Sequence, residues 1–318
     1  MAHEVEIVNG QAQLAYAGDK PWHGLGVEVS NDLTPKQMMI KAGLNWDVYK
    51  EDVFTASGVK VPGKQALVRQ SNGAILDMVG DDWNPVQNEQ AFEFFTEFVL
   101  AGDMDMEVAG SLKDGKNIFA LAKIKESFAI LGDDQVDSYL LFSNPHQYGK
   151  AVDIRFTPIR VVCNNTLTFS LNSASKNFVK VGHRTAFDAD IVKEQMGLAS
   201  EKFAQYKEMA EFLSTRRFSV ENLIQYYNEV FPHREKREVT TIDDLSRTAK
   251  LCAESLETQP GAEYGAGTWW QAFNSVTYMT DHVQGRNTES RLHNQWFGYN
   301  QSRKIQAANK AVEFATAA

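Results

Sequence analysis

The hydrophobic periodicity of the chain changes near residue 187, and this change constrains the fold more than any single motif does. Before it, short runs alternate apolar and polar side chains with a period of two, which is typical of strands with one buried face. Two Gly-containing turns, Ser71-Asn72-Gly73 and Lys113-Asp114-Gly115-Lys116, connect such runs directly. Because hairpins join antiparallel strands, the sequence predicts an α+β fold with an antiparallel sheet packed with helices.

After Asp188 the apolar residues recur with helical spacing instead. The pattern predicts helices over residues 191–215, 220–230, 243–256, 269–282 and 302–315. No low-complexity linker separates the two parts of the chain. We therefore expect an α+β sheet region over residues 1–187 and a mainly helical C-terminal region, residues 188–318, packed on it.

The stretch from Val152 to Cys163 is the predicted central strand of the sheet region. Pro158 is expected to interrupt this strand because it has no N–H to donate to a ladder. Asn164 follows as a predicted N-cap, with a helix or a further strand beyond it. Arg155 and Arg160 would then lie at the two ends of the strand near a helix N-terminus, which suits a phosphate. The alternative for either arginine is a buried ion pair with a carboxylate such as that of Asp153.

Positive charge is concentrated around this strand, although the chain as a whole has a net charge of −9. The negative total argues against a protein coated in nucleic acid. Residues 145–187 contain six Lys and Arg against one acid, a local charge of +5, which indicates a groove for an anionic ligand or a chance fluctuation. We predict nucleic-acid contacts, with Tyr148 and Phe156 as possible stacking residues. The predicted backbone contacts are Lys150, Arg155, Arg160, Lys176, Lys180 and Arg184.

The familiar catalytic motifs do not occur in the sequence, which has no P-loop, GxGxxG, HExxH or GxSxG pattern. Its seven histidines have no metal-ligand spacing with cysteine, and Cys163 and Cys252 are predicted to be buried free thiols. No apolar run approaches the roughly 18 residues of a membrane span, and the N-terminus does not resemble a signal peptide. We expect a non-enzymatic cytoplasmic protein of a host cell, without catalytic residues, cofactor, metal or membrane contact.

Several short motifs occur along the chain in a characteristic order. They are Pro21-Trp22-His23-Gly24-Leu25-Gly26, Pro85-Val86-Gln87-Asn88, the stretch Arg160 to Leu167, His183-Arg184-Thr185, and Trp269 to Thr277 with Trp296-Phe297-Gly298. In these motifs the chain resembles a phage/plasmid-like protein family of unknown function, carried by bacteriophages and mobile elements. The triplet Gly182-His183-Arg184 departs from the Arg-His-Thr-like triplet expected there. The resemblance implies a mobile-element setting and no particular activity.

Two functions are consistent with these observations. The first is a non-enzymatic single-stranded DNA-binding protein that assists recombination by strand annealing. In fold class and setting only, the chain resembles phage strand-annealing proteins, which implies a homo-oligomer, either a ring or a filament, around single-stranded DNA. The second is a phage accessory or anti-defence factor that acts on a nucleotide or a host protein. Its candidate site combines Arg155 and Arg160 with His183 and the Trp22-His23 loop.

Overall fold

The computed structural model describes residues 5–18, 24–132, 134–160, 165–166, 178–184, 187–188, 190, 199–235, 237–284 and 298–317. For residues 126, 160, 165–166, 178 and 199–203 it describes the backbone alone. Strands lie mostly in the N-terminal part and helices in the C-terminal part, so the predicted α+β class is confirmed.

The described strands and helices are numbered here in chain order. The strands are β1 (Ile7–Val8), β2 (Gln11–Ala12), β3 (Leu14–Ala17), β4 (Val27–Val29), β5 (Val48–Phe54), β6 (Lys60–Arg69), β7 (Ile75–Val79), β8 (Met104–Leu112), β9 (Asn117–Ala129), β10 (Gln135–Pro145), β11 (Ala151–Arg160), β12 (Asn165–Thr166) and β13 (Phe178–Gly182). The helices are α1 (Pro35–Lys41), α2 (Asn88–Glu93), α3 (Thr96–Ala101), α4 (Ala199–Thr215), α5 (Val220–Val230), α6 (Arg247–Ser255), α7 (Trp269–Tyr278) and α8 (Tyr299–Ala317).

The largest sheet has the strand order β12-β11-β10-β9-β8-β3-β4, and β13 also pairs with β11. The pairs β8–β9, β3–β8, β11–β12 and β11–β13 are antiparallel, as predicted from the hairpin turns, whereas β3 and β4 are parallel. A separate three-stranded sheet, β5-β6-β7, is antiparallel throughout. Its β6–β7 turn contains Gly73 at a φ of +68°, which glycine adopts without steric cost.

The central strand differs from the prediction in two ways. First, β11 runs from Ala151 to Arg160 without an interruption at Pro158. β13 pairs with residues 151–155 and β12 with residues 159–160, so Pro158 lies in the gap between these two partners of β11. Second, residues 165–166 form strand β12 rather than the first turn of a helix. Asparagine favours turns as well as caps, so its presence did not distinguish the two. Asn164 and Cys163 lie outside the described residues.

The C-terminal helices follow the predicted periodicity where the structure describes them. Residues 191–198 of the first predicted helix lie outside the described residues, and α8 extends beyond the predicted range of 302–315 at both ends. Two further helices differ locally. The helix predicted over residues 243–256 begins instead at Arg247, because the Ser246 side chain accepts from the backbone N–H of Ala249 at 3.3 Å and caps it. The helix predicted over residues 269–282 continues beyond α7 as a π-helical segment, Met279–Val283. None of the described helices is long and apolar enough to cross a bilayer.

The chain divides into two compact units. Unit 1 comprises Met1–Lys125, Tyr139–Phe156 and Phe178–Gly197, and unit 2 comprises Glu126–Ser138, Thr157–Asn177 and Leu198–Ala318. The core of unit 1 includes an aromatic cluster in which the Phe142 ring lies 5.5 Å from that of Phe94 and 5.9 Å from that of Phe95. The core of unit 2 is built around α7 and includes an edge-on contact of Trp269 with Tyr226 at 5.4 Å.

Candidate nucleic-acid interface

Arg155 is buried in unit 1, with only 9% of its surface exposed. Its Nε donates to Oδ1 of Asp153 at 2.7 Å, and its Nη2 bonds the other carboxylate oxygen. The two residues are separated by two positions on β11, so their side chains lie on the same face of the sheet. This bidentate pair matches the structural alternative for Arg155, since the guanidinium neutralises a carboxylate of the same strand.

Three other predicted cations lie along the paired strands β11 and β13. The register places Lys180 opposite Asp153 and pairs Gly182 with Ala151. Lys150 and Arg184 therefore flank this last pair, at the end of the strands near the β10–β11 loop. All three side chains are exposed. Arg184 also forms a surface ion pair with Asp82, with Nε and Oδ2 3.0 Å apart.

The remaining predicted residues are placed only in part. The backbone of Arg160 pairs with Asn165, but its side chain lies outside the described residues. Lys176 also lies outside them, as do Trp22 and His23 of the alternative site. Phe156 is half-buried on β11. The structure thus places Lys150, Lys180 and Arg184, all exposed, along the paired strands β11 and β13 and at their end in unit 1.

Tyr148, the predicted stacking residue, is 53% exposed at the tip of the β10–β11 loop. Its backbone N–H donates to Oδ2 of Asp77 at 2.8 Å, which anchors the loop to β7. The ammonium nitrogen of Lys64 lies 5.3 Å from the centroid of the Tyr148 ring, a cation–π distance. We call Lys64, Tyr148, Lys150 and Arg184 the Tyr148 surface.

Lys64 was not predicted from the sequence, and a bulge in β6 explains its position. Asp52 on β5 pairs with Gln65, whereas Phe54, two residues further, pairs with Lys60. Between these two pairs, Val53 alone lies opposite residues 61–64 of β6, and these four residues have no paired partner on β5. Pro62 and Gly63, the latter at a φ of +68°, are the local signal for this bulge. The bulge directs Lys64 towards the loop that carries Tyr148.

A buried histidine fixes the base of the same loop. The backbone N–H of His146 donates to the carbonyl of Lys116 at 2.9 Å, and its ring Nε2 lies 3.0 Å from Oδ1 of Asn88. The ring is fully buried and contacts the Trp46 indole at 5.5 Å. Burial, with the nearby His183 and Arg69, lowers the pKa of His146 from 6.5 to about 3. The loop that carries Tyr148 is thus held at its start by a neutral histidine that is hydrogen-bonded to the protein.

His183 fixes the residue that precedes Arg184. Its imidazole stacks on the indole of Trp83 at 4.1 Å, its Nδ1 lies 3.0 Å from the carbonyl oxygen of Asn84, and its own carbonyl accepts from the Asn84 N–H at 2.7 Å. Burial lowers the pKa of His183, against the opposing effect of the Asn84 and Pro145 carbonyls. The ring therefore serves as a neutral structural group at the end of β13.

Unit 2 contains a different polar cluster, around the π-helical segment. Lys304 on α8 donates to Oδ1 of Asp281 at 2.8 Å, and neither side chain has any exposed surface. Asn300, one turn earlier on α8, donates to the carbonyl of Thr280. An ion pair and a hydrogen bond from the Asn300 side chain thus join the π-helical segment to α8. In the described part of the chain, no group of three or more His, Cys, Asp or Glu is arranged to hold a metal ion.

The comparison with protein families gives a match to part of the chain. The family model described as a domain of unknown function, DUF932, matches residues 75–311. This range covers more than half of the chain and includes residues of both units. Neither the curated proteins nor the solved structures contain a significant match to the chain.

Proposed function

We propose that this chain, which belongs to the family defined by the DUF932 domain of unknown function, is a non-enzymatic single-stranded DNA-binding protein. The observation that carries the proposal is the exposed ring of Tyr148 beneath the ammonium group of Lys64. A tyrosine held in this way on an anchored loop is a stacking platform, and base–aromatic stacking contributes about 1–3 kcal/mol per base.

The charges around the ring support the same function. Lys150 lies two residues from Tyr148 in the chain. Arg184 lies near the same end of β11, because it is two residues beyond Gly182, which pairs with Ala151. Asp77 also lies close, but its two carboxylate oxygens accept from the backbone N–H groups of Tyr148 and Met78. Surface cations without base-edge contacts bind the phosphate backbone and carry no sequence information. We therefore propose binding that is independent of sequence.

The wider setting of this function rests on the sequence motifs. The resemblance to phage and plasmid proteins supports a role in strand annealing during recombination, inside a host cell. A homo-oligomeric ring or filament along the strand is part of the proposal, because proteins that coat single strands commonly bind them cooperatively. The alternative, an accessory factor that acts on a nucleotide or a host protein, would be favoured if strand binding were absent.

The test is fluorescence anisotropy with a labelled thirty-nucleotide dT strand and with a duplex of equal length, from low to moderate salt. We expect tighter binding of the single strand and a linear fall of log K with log salt. Lys64→Ala and Lys150→Ala should each make this slope shallower by about 0.7. Lys125→Ala, at an exposed lysine on β9, is the matched control and should leave the slope unchanged. Absence of strand binding at low salt would refute the proposal.

A further inference from the structure

The hairpin formed by β5 and β6 presents two large apolar side chains to solvent at its tip. Phe54 is 58% exposed and Val59 is 63% exposed, on either side of the turn that contains Gly58. Thr55 donates its N–H to the carbonyl of Val59 at 2.8 Å, so the turn is closed by a backbone hydrogen bond. An exposed phenyl ring on a closed hairpin is an unusual feature for a residue type that is mostly buried.

The strand register places Phe54 on the same face of the three-stranded sheet as the anchor of Tyr148. Directly paired residues share a face, and so do residues two apart along one strand. Lys50 pairs with Leu67, and Leu67 pairs with Asp77, whose carboxylate holds the Tyr148 loop. Phe54 lies four residues beyond Lys50 on β5, and therefore on this face. The separation is about 13 Å along the strands and about 10 Å across them.

Two lysines lie between the two aromatic rings. Lys60 pairs with Phe54 across the ladder, and Lys64 projects from the bulge over Tyr148. Lys60 forms an exposed ion pair with Asp52, with 57% of the lysine side chain accessible. Exposed pairs of this kind are weak, so a phosphate can replace the carboxylate as partner of the lysine. The face thus presents an aromatic ring, the exposed Lys60–Asp52 ion pair, Lys64 and a second aromatic ring.

We infer that the hairpin tip is a second base-stacking position, and that this face binds an extended single strand of several nucleotides rather than one nucleotide. The inference rests on the proposed function, because it extends the Tyr148 surface along β6. A phenyl ring has no hydrogen-bonding group, so it stacks on any base and adds affinity without sequence preference. The lysines between the rings favour a nucleic acid over an apolar protein segment, since phosphates supply the charge that complements them.

The experiment compares dT4 and dT16 binding to the wild type, Phe54→Ala, Tyr148→Ala and Ile75→Ala. Ile75 is the matched control: it is 64% exposed in the same small sheet and pairs with Val68, which places it on the opposite face. We expect Phe54→Ala to weaken dT16 binding about 5- to 150-fold and to leave dT4 binding unchanged. Tyr148→Ala should weaken the binding of both dT4 and dT16, whereas Ile75→Ala should weaken the binding of neither.

The outcomes separate this inference from the proposed function. If Phe54→Ala binds dT16 as the wild type does while Tyr148→Ala is impaired, the hairpin tip is not a contact and only the inference is overturned. If the wild type binds neither strand, the proposed function itself is refuted. Gel filtration of Phe54→Ala provides a further check, because dissociation of an oligomer by this change would identify the tip as an interface between copies and overturn the inference.

Discussion

Nε2 of His146 lies 3.0 Å from Oδ1 of Asn88, and the surroundings of Asn88 determine which atom donates. The amide nitrogen of Asn88 donates to the carbonyls of Leu44 at 3.0 Å and Trp46 at 3.2 Å, so its oxygen must face the histidine ring. The proton of neutral His146 is therefore on Nε2. Nδ1 is buried and has no hydrogen-bond partner in the described part of the chain. Protonation at Nδ1 would create a buried, unpaired charge.

The first prediction follows from this tautomer. The pKa of His146 is about 3 in the folded protein, whereas an unfolded histidine titrates near 6.5. Between these values the unfolded chain binds a proton that the folded chain does not, so stability falls as the pH decreases from 6.5 towards 3. His146→Gln removes this titrating group. The fall in the free energy of unfolding between pH 6.5 and 3 should therefore be smaller in the variant, by on the order of 4 kcal/mol.

Urea unfolding at a series of pH values measures this effect. His233→Gln is a suitable control, because His233 is only half-buried and bonds the carbonyl of Asp244. If the free energy of unfolding fell equally for His146→Gln and for the wild type between pH 6.5 and 4, the assignment of His146 as a neutral buried group would be wrong.

The second prediction concerns the buried pair of Arg155 and Asp153. Arg155→Ala leaves the Asp153 carboxylate buried without its bidentate partner, and we expect a loss of about 3–5 kcal/mol in the free energy of unfolding. The double variant Asp153→Ala, Arg155→Ala should be less destabilised than Arg155→Ala, because no charge is left unpaired. Lys125→Ala, at an exposed lysine on β9, is the control. If Arg155→Ala unfolded at the same urea concentration as the wild type, Arg155 would not have the predicted structural role.

The third prediction separates the ring of Tyr148 from its hydroxyl group. Stacking requires the aromatic face, so Tyr148→Phe should bind single-stranded DNA with nearly wild-type affinity. Tyr148→Ala should weaken binding by about 1–3 kcal/mol per stacked base. Anisotropy titrations at fixed salt measure both values, and melting temperatures show whether the loop remains folded. Equal losses in the Phe and Ala variants would show that the hydroxyl group, and not stacking, contributes the affinity.

The fourth prediction concerns Cys252, which is a fully buried free thiol, as expected from its apolar sequence context. Burial raises its pKa well above the ordinary value and keeps it in the unreactive thiol form. In a Cys163→Ser variant, where Cys252 is the remaining cysteine, we expect no reaction with a disulfide reagent until urea unfolds unit 2. Rapid labelling of the native variant would show that the thiol is accessible.

The Tyr148 surface illustrates how far local patterns predicted the candidate site. Tyr148 and Lys150 were found from the basic, aromatic character of their own segment. Lys64 is 84 residues from Tyr148 in the chain, and its Pro-Gly neighbourhood indicated a turn without indicating a partner. Arg155 belonged to the same basic segment, yet it pairs with the one acidic residue of that segment. Charge counts predicted which segment is basic, and only the packing showed which cations are exposed.

The sequence by itself determined the elements that depend on neighbours within about one turn. It predicted the β6–β7 hairpin from Asn72-Gly73 and the bounds of α5, residues 220–230, because backbone conformation and helix capping, here by Ser219, are local. The tertiary structure decided what depends on distant partners. It placed Pro158 inside β11, in the gap between the residues that pair with β13 and those that pair with β12, and it fixed the proton of His146 through Asn88, 58 residues away. Periodicity in a sequence reports which face of an element is buried, whereas the identity of the covering residue is set only when the chain packs.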